Sequence, residues 1–364
     1  MFKKVIYVAN ARSNHIIDWY RAVSKICGHN NVFLLTDQVD GGGFIKVISD
    51  SDNVDLLFNI DKLLFKRQTA FNNIWRNILK IFALPIMAYR LHKIYLENKD
   101  AVFHAHSMFY IFLCWAARIP FIATPMGSDV LVRPKQSKLY KFFTKLSLRA
   151  AQAITLDSQD LANAVFEISG ASSLIVQNGI DAHATKWCRE SKQRDRVVSL
   201  RAMDPNYQIH EIVKAHKLSK FQCEIQYIYP FLEEGYKQAV VSNFSNQDID
   251  SGRLDKAGLY ELLSKTHLAI SIPVSDSSPR SVYEAIFSGC AVAVTESGWV
   301  DELPTCMRAR IIIVSLDDDL WFDKAIEFSK RIVVTPFSPS QEAISKYDEF
   351  ECMKYICQEF YVQI

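Results

Sequence analysis

Short apolar runs alternate along this chain with longer stretches whose apolar residues recur every three to four positions. Residues 4–10, 32–36, 101–107, 153–158, 196–201, 224–229, 268–273, 291–294 and 310–314 read as strands buried on both faces, several of them ending in a polar loop. Between the first two, residues 13–27 place Ile16, Ile17, Trp19, Tyr20 and Val23 on one side of a helix that stops at Gly28. Strand, helix, strand in steady succession predicts α/β architecture with parallel sheets, because parallel neighbours need a crossover of about a dozen residues. Residues 317–332 and 338–361 close the chain as helical stretches.

The pattern is fullest over 268–303. An apolar run ends in the loop Ser275, Asp276, Ser277, Ser278; Pro279 then opens a segment with Val282, Ala285 and Ile286 at helical spacing, and Gly289 stops it before the next apolar run, Ala291–Val294. Pro just inside a helix and Gly just past it is the expected asymmetry. Such a helix start offers an anion backbone N–H groups and a positive dipole end, to which Ser278, Ser281 and the charge of Arg280 add. Asp276 and Glu284 stand eight residues apart and can border one crevice at the carboxyl end of the strand, where carboxylates accept sugar hydroxyls. The plainer reading makes Glu284 a solvated helix residue.

A length of 364 residues suits two domains, and 49% hydrophobic with 23% charged residues is globular composition. No signal-peptide pattern follows Met1, and the longest apolar stretches are interrupted by charges and prolines, so no membrane span is expected. The eight cysteines form no C-x-x-C pair and sit mostly in apolar runs, which predicts buried free thiols in a reducing cytosol. Net charge is only +2, yet residues 1–150 carry 21 Lys and Arg against 10 Asp and Glu, leaving the remainder at −9.

Two stretches supply much of that basic excess. Residues 62–98 combine Phe71, Ile74, Trp75, Ile78, Phe82, Ile86, Leu91 and Ile94 with Lys62, Lys66, Arg67, Arg76, Lys80, Arg90 and Lys93; residues 135–149 read KQSKLYKFFTKLSLR. Basic amphipathic segments rich in aromatics suit an anionic membrane surface better than nucleic acid, for which no motif is present. The alternative is that the apolar residues pack on a sheet and the cations are its solvated face. His104 and His106 alternate onto one face of a strand, but no third metal ligand lies at suitable spacing. The triple glycine 41–43 follows no strand directly into a helix and reads as a turn.

These motifs together resemble the retaining glycosyltransferases of family 4, which have the GT-B fold. Asp276, seven residues, Glu284 and then AIFSGCAVAV are similar to the family's donor-binding signature; H-x-H-S ending at Ser107, T-P-x-G-S-D ending at Asp129, N-G-I-D at 178–181 and the run His15, Trp19, Gly28, His29, Val32 match elsewhere. The resemblance implies two Rossmann-like domains with parallel sheets facing an interdomain cleft: residues 1–182 on the acceptor side, residues 183–345 binding the nucleotide-sugar, and a helix over 346–364 returning to the first domain. By resemblance His106, Asp129 and Asp276 serve catalysis, and Arg201, Ser278, Arg280, Ser281 and Glu284 hold the donor, with Arg201 clamping its diphosphate and 250–253 near the base. The family's Gly-Gly loop after the first strand is replaced by Asn10–Ser13, and its Lys about five residues after Arg201 by Asn206 and Tyr207; Pro205-Asn-Tyr-Gln-Ile209 fits a P-x-Y-x-I variant.

The expectation is therefore a metal-independent, cofactor-free transferase using a nucleotide-diphosphate sugar. Its acceptor would be a glycan or lipid-linked glycan of bacterial surface polysaccharide, at the cytoplasmic face of a membrane. A catalytically silent sugar-nucleotide-binding partner and a UDP-sugar 2-epimerase are the alternatives.

Overall fold

The structure is a computed structural model that describes residues 2–39, 48–63, 70–190 and 194–362. The triple glycine 41–43 and the cations Lys66 and Arg67 lie outside these residues, as do the side chains of Phe71 and Ile74. The chain forms two compact units, one of residues 1–178 with 349–364 and the other of residues 179–348.

In unit 1 the strands are β1 (Val5–Val8), β2 (Val32–Thr36), β3 (Val54–Leu56), β4 (Val102–His106), β5 (Ile122–Thr124), β6 (Ala153–Leu156) and β7 (Leu174–Ile175). They make one sheet in the order β3-β2-β1-β4-β5-β6-β7 with every pairing parallel. Unit 2 repeats the plan with β8 (Arg196–Ser199), β9 (Ile225–Ile228), β10 (Asp248–Gly252), β11 (Thr266–Ser271), β12 (Ala291–Val294) and β13 (Ile311–Ile313), ordered β10-β9-β8-β11-β12-β13 and again all parallel. Every residue of β1, β11 and β12 is buried, as strands covered on both faces must be. Both orders reverse at one point, between β1 and β4 and between β8 and β11. There adjacent crossovers leave to opposite faces and open a crevice beyond the strands' carboxyl ends.

On one face of the first sheet, helices Ala70–Glu97, Met108–Ala116, Lys138–Ala150 and Gln159–Ser169 build a core around Phe103, Ile111, Leu113 and Leu148. On the other face, helices Asn14–Cys27 and Glu349–Phe360 pack together over Tyr7, Trp19 and Tyr20. The helical tail is not continuous. It breaks at Asp348, where Ile180 N–H bonds the Tyr347 carbonyl at 2.8 Å, so Gln341–Tyr347 belongs to unit 2 and Glu349–Phe360 to unit 1.

The helix Ala70–Glu97 differs from the reading of its stretch. Its buried stripe is Ala83, Met87 and Leu91, while Ile81, Phe82, Ile86 and Tyr89 are exposed. Lys80, counted above in the basic complement of this stretch, turns inward to a 2.9 Å ion pair with fully buried Asp37, which also accepts the Tyr110 hydroxyl. Residues 250–253, read as a loop, instead fall largely within edge strand β10, where Asp250 accepts from the Tyr229 hydroxyl at 2.5 Å and pairs with Lys237 at 3.0 Å.

Ile356 is fully buried between the last helix and Asn14–Cys27. Ile356→Ala is expected to cost roughly 2–5 kcal/mol by urea unfolding, the transfer loss of its methyl groups plus the cavity left behind.

Candidate active site

At the reversal point of unit 2, β8 runs out into Leu200 and Arg201, and β11 into Ile272–Asp276. The Arg201 guanidinium, only 12% exposed, ion-pairs with the Asp276 carboxylate through Nη2 and donates from Nη1 to Ser281 Oγ at 2.8 Å. Its face lies 4.6 Å from the centroid of the Tyr207 ring, and its buried Nε has no partner among the described residues. The fork geometry of arginine permits these several contacts at once.

The segment that replaces the expected Lys holds this corner in shape. Asp204 accepts Asn206 N–H at 3.0 Å to start the 3-10 turn Pro205–Tyr207, Asn206 donates from its side chain to the Ser275 carbonyl at 3.1 Å, and Val274 N–H bonds the Asn206 carbonyl at 2.7 Å. Gln208 completes the brace by donating to the Ile272 carbonyl at 2.9 Å. Thus Pro205–Gln208 is stitched to the loop that carries Asp276.

The helix Arg280–Phe287 follows with Pro279 at its N-cap and no side-chain cap among the described residues; Arg280 N–H bonds the Ser278 carbonyl at 3.1 Å and Val282 N–H the Pro279 carbonyl at 2.9 Å, and Ser281 in this first turn brings the positive dipole end beside Arg201. Glu284 is buried one turn in, 3.8 Å from Arg280 Nε, which excludes the reading of Glu284 as a solvated residue. Ser278 Oγ reaches the Tyr283 hydroxyl at 3.5 Å. Arg201, Asp276 and Ser281 are thereby one hydrogen-bonded group, with Arg280 and Glu284 paired on the adjoining helix.

The reversal point of unit 1 holds His106, the last residue of β4, followed by Ser107 with φ +69°. Such a φ is costly for a non-glycine residue and recurs where a chain turns sharply at a site. The His106 ring stands edge-on to Trp19, with centroids 4.8 Å apart, and faces a cavity of about 30 Å³ also lined by His15, Met126, Gly127 and Asn178. Its Nε2 is buried without a partner among the described residues, and burial pushes its pKa down to about 3, leaving a neutral imidazole. A cavity of that size holds about one water or one polar ligand atom.

His104 on the same strand face is fully engaged. Its Nδ1 meets the Tyr361 hydroxyl at 2.5 Å and its Nε2 meets Thr124 Oγ1 at 2.7 Å, while Tyr361 also bonds the Tyr7 hydroxyl at 3.0 Å. Tyr361 comes from the far end of the sequence, and only a buried hydroxyl in an apolar tail could have signalled it.

Asp129 is buried rather than open. One carboxylate oxygen accepts Met108 N–H at 2.9 Å at the start of helix Met108–Ala116, the other pairs with Arg133 at 3.1 Å, and burial raises its pKa despite both partners. These contacts tie the loop after β5 to the loop after β4. Asp129 and His106 therefore belong to unit 1, and Arg201, Asp276, Ser278, Arg280, Ser281 and Glu284 to unit 2.

Residues 44–158 match the family model described as Glycosyl transferase 4-like. Among solved structures, the Anabaena protein HepE in complex with UDP is similar at 13% identity and a TM-score of 0.75, over 98% of this chain and 99% of that one. HepE with UDP-glucose gives 12% identity and a TM-score of 0.73 over 99% of each chain. Sucrose-phosphate synthase from Thermosynechococcus elongatus gives 13% and 0.66, over 99% of this chain and 95% of that one. No curated protein matches the chain by sequence. The fold is GT-B.

His106, and in unit 2 the buried His267 at about pKa 4, stay neutral in the fold because burial lowers them. An unfolded chain takes up protons at such positions below about pH 6.5 and the folded one does not, so this stability is full above 6.5 and is lost as pH falls through 4 toward 3. Urea unfolding between pH 7 and 4.5 should show that decline, and it should be shallower in His106→Gln.

Proposed function

From a chain with the GT-B fold and a glycosyl transferase 4-like segment, we propose a retaining glycosyltransferase that moves a sugar from a nucleotide-diphosphate sugar to a glycan or lipid-linked glycan. The observation that carries this reading is the Arg201–Asp276–Ser281 group at the reversal point of unit 2, set against the first turn of helix Arg280–Phe287. HepE, which shares the fold, binds UDP and UDP-glucose.

In transfer, positive charge develops on the anomeric carbon and negative charge on the departing diphosphate. Arg201, Arg280 and the first N–H groups of Arg280–Phe287 would take the diphosphate. Asp276 balances the Arg201 charge in the absence of donor; a diphosphate that takes over the guanidinium would release that carboxylate to a sugar hydroxyl. Glu284 would accept ribose hydroxyls, and Ser278 and Ser281 would add hydrogen bonds. His106, neutral and with one ring nitrogen facing a cavity, is suited to a sugar hydroxyl as well, while Asp129 serves as a positioning residue for the two loops around it. Because protein cations and a helix start supply the positive charge, we propose that no metal is required.

Arg201→Ala and Glu284→Gln should each fold and lose turnover at least about tenfold, since each removes a charged hydrogen bond worth roughly 1.5–3 kcal/mol. Activity should persist in EDTA. Normal turnover in either folded variant would overturn the donor-site assignment, and donor binding without any turnover in the unsubstituted chain would favour a silent sugar-nucleotide-binding protein.

We also propose that unit 1 rests on the anionic cytoplasmic face of a membrane, which suits a lipid-linked acceptor. Helices Ala70–Glu97 and Lys138–Ala150 both pack on Met108–Ala116, and they expose Ile81, Phe82 and Tyr89 on the first and Leu139 and Phe142 on the second. Lys138–Ala150 also exposes Lys138, Lys141 and Lys145 and contains no acidic residue. Among the described residues no helix is long and apolar enough to cross a membrane. Each cation near an anionic surface contributes about 1 kcal/mol, an attraction that salt screens. Sedimentation with anionic vesicles should fall with rising salt and in a variant with Lys138, Lys141 and Lys145 changed to Gln; no binding at low salt would refute the surface.

A further inference from the structure

Unit 2 holds a second constellation at the opposite ends of its strands. Cys223, two residues before β9, places Sγ 4.0 Å from Nε2 of His216. The other ring nitrogen, Nδ1, lies 3.1 Å from Asp248 Oδ1 at the first residue of β10. Asp248 is held in turn by the Tyr227 hydroxyl at 3.0 Å and by Ser245 N–H and Oγ at 2.7 and 2.8 Å. A thiol, an imidazole and a carboxylate in line is the arrangement in which the third group orients the second and the second serves the nucleophile.

The frame around the thiol is fixed. Ser219 donates to Asp323 of helix Trp321–Ile332 and accepts Phe221 N–H at 2.9 Å, and the His216 ring lies 5.6 Å from Phe322. The His216 and Asp248 side chains are 4% and 0% exposed. Cys223 by contrast is only partly buried, as is Cys306, whereas the other six cysteines are buried. Cys306 has a hydroxyl for a neighbour, donating to Ser340 Oγ at 3.4 Å. Burial works to lower His216, but the hydrogen bond to Asp248, with its charge and the nearby thiol, outweighs it and pushes the imidazole up to about 9. The ring is then an imidazolium, and a cationic ring beside a partly exposed sulfur is the setting in which reactive thiols occur.

We propose that Cys223 is a modification site: a nucleophilic thiol, served by His216 and oriented through Asp248, that reacts with small soft electrophiles, low-molecular-weight disulfides above all. In that exchange the Cys223 sulfur attacks one sulfur of the disulfide, the reagent's S–S bond breaks, and a mixed disulfide forms on Cys223. The Cys223 thiol releases its proton to solvent and the departing thiolate takes one up, so the exchange balances and needs no other oxidant or acid. The site is independent of the donor group, which lies beyond the carboxyl ends of the strands.

The test is labelling of the intact chain at pH 7 with limiting iodoacetamide, and separately with oxidised glutathione, followed by peptide mass spectrometry. Cys223 should react about tenfold or more faster than Cys306, the internal control of similar burial class. His216→Gln and Asp248→Asn, each close in shape, should bring the Cys223 rate down to that of Cys306 with circular dichroism unchanged, and Cys223→Ser should abolish the glutathione adduct. Equal rates for the two cysteines in the unsubstituted chain would overturn the proposal whether or not either variant folds. An unaltered Cys223 rate in a folded variant would overturn it as well.

Discussion

Every strand pairing described in either sheet is parallel, and this constraint governs where chemistry can occur. Parallel strands joined by helices put all carboxyl ends and all following helix starts along one edge. Loops there meet the starts of helices, and the reversal of strand order opens a gap between adjacent crossovers. Arg201 and Asp276 meet because β8 and β11 are neighbours at that reversal, although 75 residues separate them in sequence. His106 occupies the equivalent position in unit 1 for the same topological reason.

Burial sets the character of the groups at these two edges. In unit 2, Arg201 and Asp276 neutralise each other in a site too enclosed to leave either charge alone, which also presets the guanidinium. In unit 1, His106 receives no such partner and stays neutral, so it can exchange hydrogen bonds but carries no charge at neutral pH. In the proposed reaction, this contrast between a charged pair and an uncharged ring would divide the work between diphosphate and sugar. Asp129 holds the backbone at the start of helix Met108–Ala116, and Tyr361 holds His104.

The Cys223 cluster obeys a different logic. It sits at the amino ends of β9 and β10, where no crossover crevice exists, and its imidazole gains charge from a carboxylate where His106 loses it to burial. Two buried histidines in one chain are thus driven in opposite directions by one variable, the presence of a carboxylate within hydrogen-bond reach.

The sequence by itself determined the central strands of both sheets, the succession of crossovers and the stretch 268–303, because these depend on local periodicity and on Pro and Gly at helix ends; edge strand β3 was not read. The resemblance of its motifs to a family signature also singled out Arg201, Asp276 and Glu284 as candidates. Only the tertiary structure decided that Arg201 is bonded to Asp276, that Asn206 and Gln208 brace the loop in place of a lysine, and that Asp129 caps a helix from inside. Edge strand β10 was illegible because its residues are polar and half-buried, leaving no alternation to read. Lys80 turned inward while Phe82 is exposed for a related reason. A helical period shows which residues share a face, but which face turns inward depends on what lies opposite, here the buried carboxylate of Asp37, 43 residues away in sequence.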